Sequence, residues 1–582
     1  MLLRAKTLIL LCLLAALATP AAAQQPTYAK NAMVVSVHRL ASEAGVEMMK
    51  AGGNAVDAAV ATGFALAVVH PPAGNLGGGG FLLVRWHDGR VNFLDYREKA
   101  PKAATRDMYL DEKGNVIENL STVGYKSIGV PGSVAGMTYA QRKWGKLPLK
   151  RVMQPAIRLA EKGFALSWDD ADDFKDEDLS KYPESRRIFQ RNGRYFLPGE
   201  IFRQPELART LRRIAADPAD FYRGKMAQEI ASTVQKGGGL ITAEDLAAYE
   251  VKEREPIRGM YRGYEVISTP PPSSGGVALM EILNILEGYD LGKLGARSAD
   301  SMHLTIEAFR RAMFDRAEFL GDPDHAKVPV AQLTDKKYGR AWRSGLDPQR
   351  ATPSAGMRRP AEFNQLDRLA TRRRFRESDH TTHFSIVDAQ GNAAAVTTTI
   401  NDSFGSKVTV AGLGFLLNNE MDDFTSKAGV PNSYGLIQSE NNSVGPEKRP
   451  LSAMTPTIVV KDGQPFLVIG APGGPRIITT VANILTGIID HGMNLQEAVN
   501  APRFHHQYLP DQVRVERMGI SPDTIAALEK RGHKVVVSGP QTDRSYSGGY
   551  WSTHAECIQV EPGVGLWGAP DPRSESSAAV GY

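Results

Sequence analysis

The chain has 582 residues, with 69 Lys and Arg against 64 Asp and Glu and a formal net charge of +5. So mild and mixed a balance excludes a dedicated nucleic-acid surface, and a chain of this length can bury a large core in about three or four domains. Of the two cysteines, Cys12 falls in an N-terminal leader and Cys557 alone can form no internal bridge, so stability must rest on the core.

The leader is Arg4 and Lys6, the apolar run Leu8 to Leu17, and Ala21-Ala22-Ala23 before Gln24. This is the pattern of a secretory signal over residues 1–23, cleaved after Ala23, and the apolar run is too short to span a membrane. A lipoprotein anchor at Cys12 is the competing reading, disfavoured because Leu11 rather than a small residue precedes it. No second stretch of about 18 apolar residues follows, so an exported protein without a membrane anchor is expected.

Asn54 can cap a helix in which Val56, Ala59, Val60, Gly63, Phe64 and Ala67 share one face. Ala58 to Val69 is nearly all apolar, which predicts burial on most sides, and His70-Pro71-Pro72 ends the helix. Gly74-Asn75-Leu76-Gly77-Gly78-Gly79-Gly80 then leads into a strand, Phe81 to Trp86. The run lacks the Lys and Ser/Thr of a phosphate loop and the spacing of a dinucleotide fingerprint, so it predicts a close backbone approach. Residues 150–370 carry amphipathic helical stretches, Met302 to Phe319 the clearest, and little chemistry. A basic segment with Arg368, Arg372, Arg373, Arg374 and Arg376 reads as a solvated leader ending at His380.

Beyond it the texture changes to strands. Phe384 to Asp388 and Ala393 to Ile400 flank Ala389-Gln390-Gly391, a loop in which glycine takes the left-handed position of a hairpin. If Asp388 faces Asn392, Thr381 lies opposite Thr399, with Asn401 on the same face; a slip of one residue would turn Thr399 away.

By itself a Thr-Thr pair opening a strand is structural. Cut before Thr381, however, the stretch His380-Thr381-Thr382-His383-Phe384-Ser385 becomes a one-residue catalyst, the Thr381 hydroxyl as nucleophile and its new α-amine as base. Such an amine titrates near ~7.7 to 8.0, so much of it is free base at neutral pH. His380 with His383, or His505 with His506, are poor metal ligands: no glutamate follows the first histidine, and the spacing sits on a strand. No metal or other cofactor is expected.

The set Asp95-Tyr96-Arg97-Glu98, His380 to Ser385, Leu417-Asn418-Asn419-Glu420-Met421-Asp422-Asp423-Phe424, Arg449-Pro450-Leu451-Ser452 and Pro472-Gly473-Gly474 resembles the γ-glutamyltransferase (γ-glutamyl transpeptidase) family. The similarity runs from about Ala29 to Tyr582. It implies an α/β (α+β) fold, a four-layer αββα sandwich of the N-terminal nucleophile hydrolase type. It also implies a precursor that cuts itself between His380 and Thr381 into a large subunit, 24–380, and a small catalytic subunit, 381–582, held in one folded unit.

The resemblance further implies that Thr381 attacks the γ-amide of glutathione or another γ-glutamyl compound, forming an ester that water, an amino acid or a dipeptide resolves. Thr399 would position the nucleophile, and the N–H groups of Gly473 and Gly474 would hold the oxyanion. Arg97 would clamp the donor carboxylate; Glu420, Asp423 and Asn401 would meet its ammonium. Ser452 would bind the carboxylate, but Ala453 stands where the family has a second serine, which predicts a penalty of roughly one hydrogen bond, about 1 kcal/mol. Pro475 also departs from the pattern. The loop between Phe424 and Arg449 would cover the pocket, with Tyr434 meeting Asn401. A bacterial periplasm suits such a protein, with no nucleic-acid partner. The rival readings are an acylase of the same fold, acting on cephalosporin side chains or poly-γ-glutamate, and a catalytically dead γ-glutamyl-binding protein.

Overall fold

The computed structural model describes residues 25–366, 381–433, 435–538 and 553–582. The expected leader, the arginine-rich segment, His380 and Tyr434 lie outside the described residues.

Two seven-stranded antiparallel sheets form the centre. One runs, in spatial order, Ala578–Gly581, Met33–Ser36, Thr381–Val387, Ala393–Thr399, Gly79–Arg85, Val91–Asp95 and Lys252–Glu253. The other runs Thr27–Ala29, Gly565–Ala569, Cys557–Glu561, Gln464–Ile469, Thr457–Lys461, Tyr264–Ser268 and Ile257–Tyr261. Each sheet takes strands from both sides of the His380-Thr381 bond.

The period of two along these strands builds four layers. Phe81, Leu83, Ala393 and Ala395 from the first sheet meet Ile267, Ile458, Val460 and Val468 from the second in an inner apolar layer. Their neighbours Leu82, Val84, Ala394 and Val396 point the other way, into a core shared with the helices Arg39–Lys50 and Ala55–Val69. On the far side Val266, Val459, Leu467 and Ile469 pack under Gly275–Leu286, Ala299–Phe319 and Arg476–Ile489. This is the αββα sandwich.

Asn54 caps the helix Ala55–Val69 with a capping box to Asp57, and every residue of that helix is buried. The glycine run is a close approach: a Cβ on Gly77 would lie 2.2 Å from the Leu416 carbonyl oxygen, and one on Gly78 2.0 Å from that of Thr399. The hairpin register is the expected one, Thr381 opposite Thr399 through Val387 opposite Ala393, with Gly391 at φ +81°. Ala299–Phe319 differs from expectation. It is no half-solvated amphipathic helix: Ser301 to Arg316 are all buried. Most of its charges are paired inside, Glu307 with Arg310 and Arg311, and Asp315 with Arg359, which lets the helix sink into the core. Among the described residues no helix is long and apolar enough to cross a membrane.

Candidate active site

Thr381 heads its strand, and the register brings its hydroxyl oxygen to 3.2 Å from that of Thr399 on the paired strand. The Thr399 oxygen also accepts the Asn401 N–H at 2.8 Å. Asn401, two residues past the end of the strand Ala393–Thr399, sits at φ +74°, a left-handed conformation that asparagine tolerates better than most residues, and its side chain donates to the Asn419 carbonyl at 3.1 Å. The hairpin therefore delivers two hydroxyls and one amide to the same edge.

Arg97 follows the strand Val91–Asp95. Asp95 accepts the Arg97 N–H at 2.9 Å and is itself held by Arg254 and Arg449, which fixes where the guanidinium starts. The guanidinium is 1 % exposed and spends its fork on Glu420 through Nη1, Asp423 through Nη2 and the Pro450 carbonyl through Nε. Glu98 lies 3.5 Å from the same guanidinium. Three buried carboxyls thus share one cation. Burial pushes Glu420 well above the ordinary carboxylate range against the pull of Arg97, with Glu98 and Asp423 adding to the rise. Burial likewise raises Asp423, opposed by Arg97 and Arg316, and lifts Glu98 to about 7. On Arg97 burial acts downward, but the three carboxyls outweigh it and hold it above its usual value.

Gly473 and Gly474 adopt φ +119° and +53° just before the helix Arg476–Ile489. Among the described residues their N–H groups are given to no acceptor. Two donors at a helix N-terminus suit a developing negative charge.

Thr381, Thr399, Asn401, Arg97, Glu420, Asp423, Ser452 and Gly474 line one small cavity. Gly473 sits one residue behind its wall, and Tyr434 and His380 lie outside the described residues, although Leu436 from the same loop as Tyr434 is in the wall. Ala453 and Pro475, the two departures, also line it. Arg316, Met454 and Ile477 complete the cavity and escaped sequence reasoning. No local signal marked Arg316, because the charges of its helix fall mostly on one face and the pattern reads as amphipathic. The histidines weighed as metal ligands are occupied otherwise. His383 bonds Thr397 and Ser385, and burial lowers its pKa to about 3, making it a neutral core residue. His505 bonds Thr479 and Gln507, and His506 accepts the Tyr508 N–H and faces Asp511.

A threonine heading an inner strand of an αββα sandwich, with a second hydroxyl across the rung, defines the class of N-terminal nucleophile hydrolases. Within it, the family described as Gamma-glutamyltranspeptidase matches residues 41–581. A glutathione hydrolase proenzyme of Pseudomonas sp. (strain A14) is 49 % identical over 97 % of this chain and 96 % of its own length. One from Escherichia coli (strain K12) is 49 % identical over 96 % and 93 %. Among solved structures, a cephalosporin acylase from Bacillus halodurans superposes with a TM-score of 0.81 at 29 % identity, over 96 % of this chain and 97 % of that one. The chain belongs to the γ-glutamyltranspeptidase family.

Proposed function

We propose that this chain is the precursor of a γ-glutamyltransferase that also hydrolyses glutathione, with Thr381 as its nucleophile. The observation that carries the reading is one cavity holding the Thr381 and Thr399 hydroxyls together with a cation and a carboxylate pair. A γ-glutamyl donor ends in a free amino acid, a carboxylate and an ammonium on one carbon, and these charges answer both signs.

Maturation uses the same hydroxyl. Thr381 Oγ attacks the His380 carbonyl carbon, the peptide C–N bond breaks, the nitrogen takes the proton, and water hydrolyses the resulting ester. The products are a chain ending at His380 and one starting at Thr381 with an α-amine. In turnover that amine takes the hydroxyl proton as Oγ attacks the γ-carbonyl and passes it to the departing amine. Thr399 supports the nucleophile, and the Gly473 and Gly474 N–H groups face the oxyanion. Arg97 and Ser452 take the donor carboxylate, and Glu420, Asp423 and Asn401 the ammonium. Water, an amino acid or a dipeptide then takes the acyl group and returns the proton. Residues 1–23 direct export, to the periplasm of a bacterium.

An acylase reading is weaker on chemical grounds, because a dicarboxylic side chain brings no ammonium for Glu420 and Asp423 to meet. The deciding experiment is a denaturing gel of purified protein with N-terminal sequencing of the smaller band, followed by turnover of γ-glutamyl-p-nitroanilide. A band starting at Thr381 and release of nitroaniline are expected. A persistently uncut, inactive chain would return the protein to the binding-protein reading.

A further inference from the structure

Besides Arg97, a second guanidinium lines the cavity. Arg316 comes from the buried helix Ala299–Phe319 and is 2 % exposed. Its Nε donates to Ser274 Oγ at 2.9 Å, and Ser274 Oγ donates in turn to the Ser452 carbonyl at 2.7 Å. This chain ties one edge of the guanidinium to the Ser452 backbone. Its Nη1 has no hydrogen-bond partner among the described residues. A buried guanidinium N–H left unpaired is costly, so its natural complement is an anion.

The contrast with Arg97 decides which cation has a donor to offer. All three Arg97 nitrogens are committed, to Glu420, Asp423 and Pro450. A carboxylate entering the cavity meets an Arg97 whose every nitrogen already serves a protein oxygen, whereas Arg316 Nη1 serves none among the described residues. Arg316 adds a second cation to a wall where Arg97 already carries Glu420 and Asp423, so the cavity offers groups of both signs to a zwitterion. Burial lowers the Arg316 pKa to about 10, with Asp423 opposing, so the cation persists at neutral pH.

We propose that Arg316 is a second binding residue for the α-carboxylate of the γ-glutamyl donor, reaching it from the side where Ala453 supplies no hydroxyl. The proposal rests on the γ-glutamyl reading above. A carboxylate has about four lone-pair sites, enough for Arg316, Ser452 and a shared Arg97 at once.

Three anilides separate this role from its rivals: γ-glutamyl-, glutaryl- (no ammonium) and 4-aminobutanoyl-p-nitroanilide (no α-carboxylate). In Arg316→Gln, kcat/KM for the first two should fall about twentyfold relative to the third, as for loss of one charged hydrogen bond, mainly through KM. Arg316→Lys should recover part of it. Equal loss on all three donors would make Arg316 a structural residue. Loss confined to the two donors with an ammonium would make it only a neutraliser of Asp423. Either result overturns the proposal. Self-cleavage and Tm report whether each variant folds. Failure of the wild type on γ-glutamyl-p-nitroanilide would instead count against the functional reading. In that event calorimetry of L-glutamate against 4-aminobutanoate still reads Arg316: equal weakening of both by Arg316→Gln rejects the role, and selective weakening of glutamate supports it.

Discussion

Thr381 and Thr399 face each other across the first rung of the central hairpin, their hydroxyl oxygens 3.2 Å apart. Because the pair is set by strand register, its geometry does not wait for the chain to be cut. Thr399 can therefore assist both the self-cleavage and the turnover. Thr399→Val keeps shape and strand propensity but removes the hydroxyl, and should slow both by about 10- to 100-fold, the range of a lost charge-assisted hydrogen bond. Thr399→Ser should restore most of each rate. A time course of band conversion beside initial rates checks this. A valine variant that matures and turns over at wild-type rates would remove Thr399 from the mechanism.

Arg97 bonds Glu420 and Asp423. Under the proposed function a zwitterionic donor would exchange that pairing, its ammonium taking over the carboxyls while its carboxylate recruits guanidinium. Lysine cannot span two carboxyls in one plane, so Arg97→Lys should raise KM for γ-glutamyl-p-nitroanilide at least about tenfold with a smaller change in kcat. Asp423→Ala leaves less charge to oppose Arg97 and should weaken donors with an ammonium far more than glutaryl-p-nitroanilide. Titration with both donors is the measurement, and an unchanged ratio between them would reject the ammonium role.

The same cluster makes stability depend on pH. Burial raises Glu98 from 4.5 to about 7 against the pull of Arg97. Between those values the folded protein keeps a proton that the unfolded chain has released. The associated stability is full below about pH 4.5 and is lost as the pH rises through about 7. Glu98→Gln has no proton to lose, so its Tm relative to wild type should rise between pH 5 and pH 8. Melting curves at the two pH values test it; a constant difference would mean that Glu98 does not titrate in that window.

How much of this was readable in advance depends on how far apart the cooperating residues lie. The Thr381–Thr399 rung followed from eighteen residues of sequence, because a turn with Gly391 in the left-handed position fixes register. The buried helix from Asn54 was equally local, one cap and one apolar run. Arg97 and Glu420 are 323 residues apart, and no periodicity links them, so only family resemblance brought them together. Arg316 was hidden for a related reason: the residues that let its helix sink into the core, Arg359 and Ser274, come from separate segments. Patterning alone reads such a helix as half-solvated.

Ala453 borders the cavity beside Ser452. Adding a hydroxyl there offers the donor carboxylate one more hydrogen bond. Ala453→Ser should therefore lower KM for γ-glutamyl-p-nitroanilide about fivefold, roughly 1 kcal/mol. An unchanged KM would show that the carboxylate is already satisfied at that edge. The effect should be larger in Arg316→Gln than in the wild type, since both changes address the same oxygen atoms.

Gly473 sits at φ +119°, and a Cβ built there would lie 2.3 Å from Thr553 Cγ2. Gly473→Ala thus meets two obstacles, a backbone conformation that side-chain-bearing residues rarely adopt and a methyl group in the way. Relief requires the turn to rotate, which would carry the Gly473 and Gly474 N–H groups away from the oxyanion they are proposed to hold. Losing such a donor costs about 100- to 1,000-fold in kcat, with KM changing less. Thr553→Ser removes the methyl and keeps the hydroxyl that accepts from Arg503 at 2.8 Å. The double variant Gly473→Ala/Thr553→Ser should regain the steric share of the rate but not the conformational share, landing between Gly473→Ala and wild type. If Gly473→Ala alone kept wild-type kcat, the turn before the helix Arg476–Ile489 would have no part in stabilising the oxyanion.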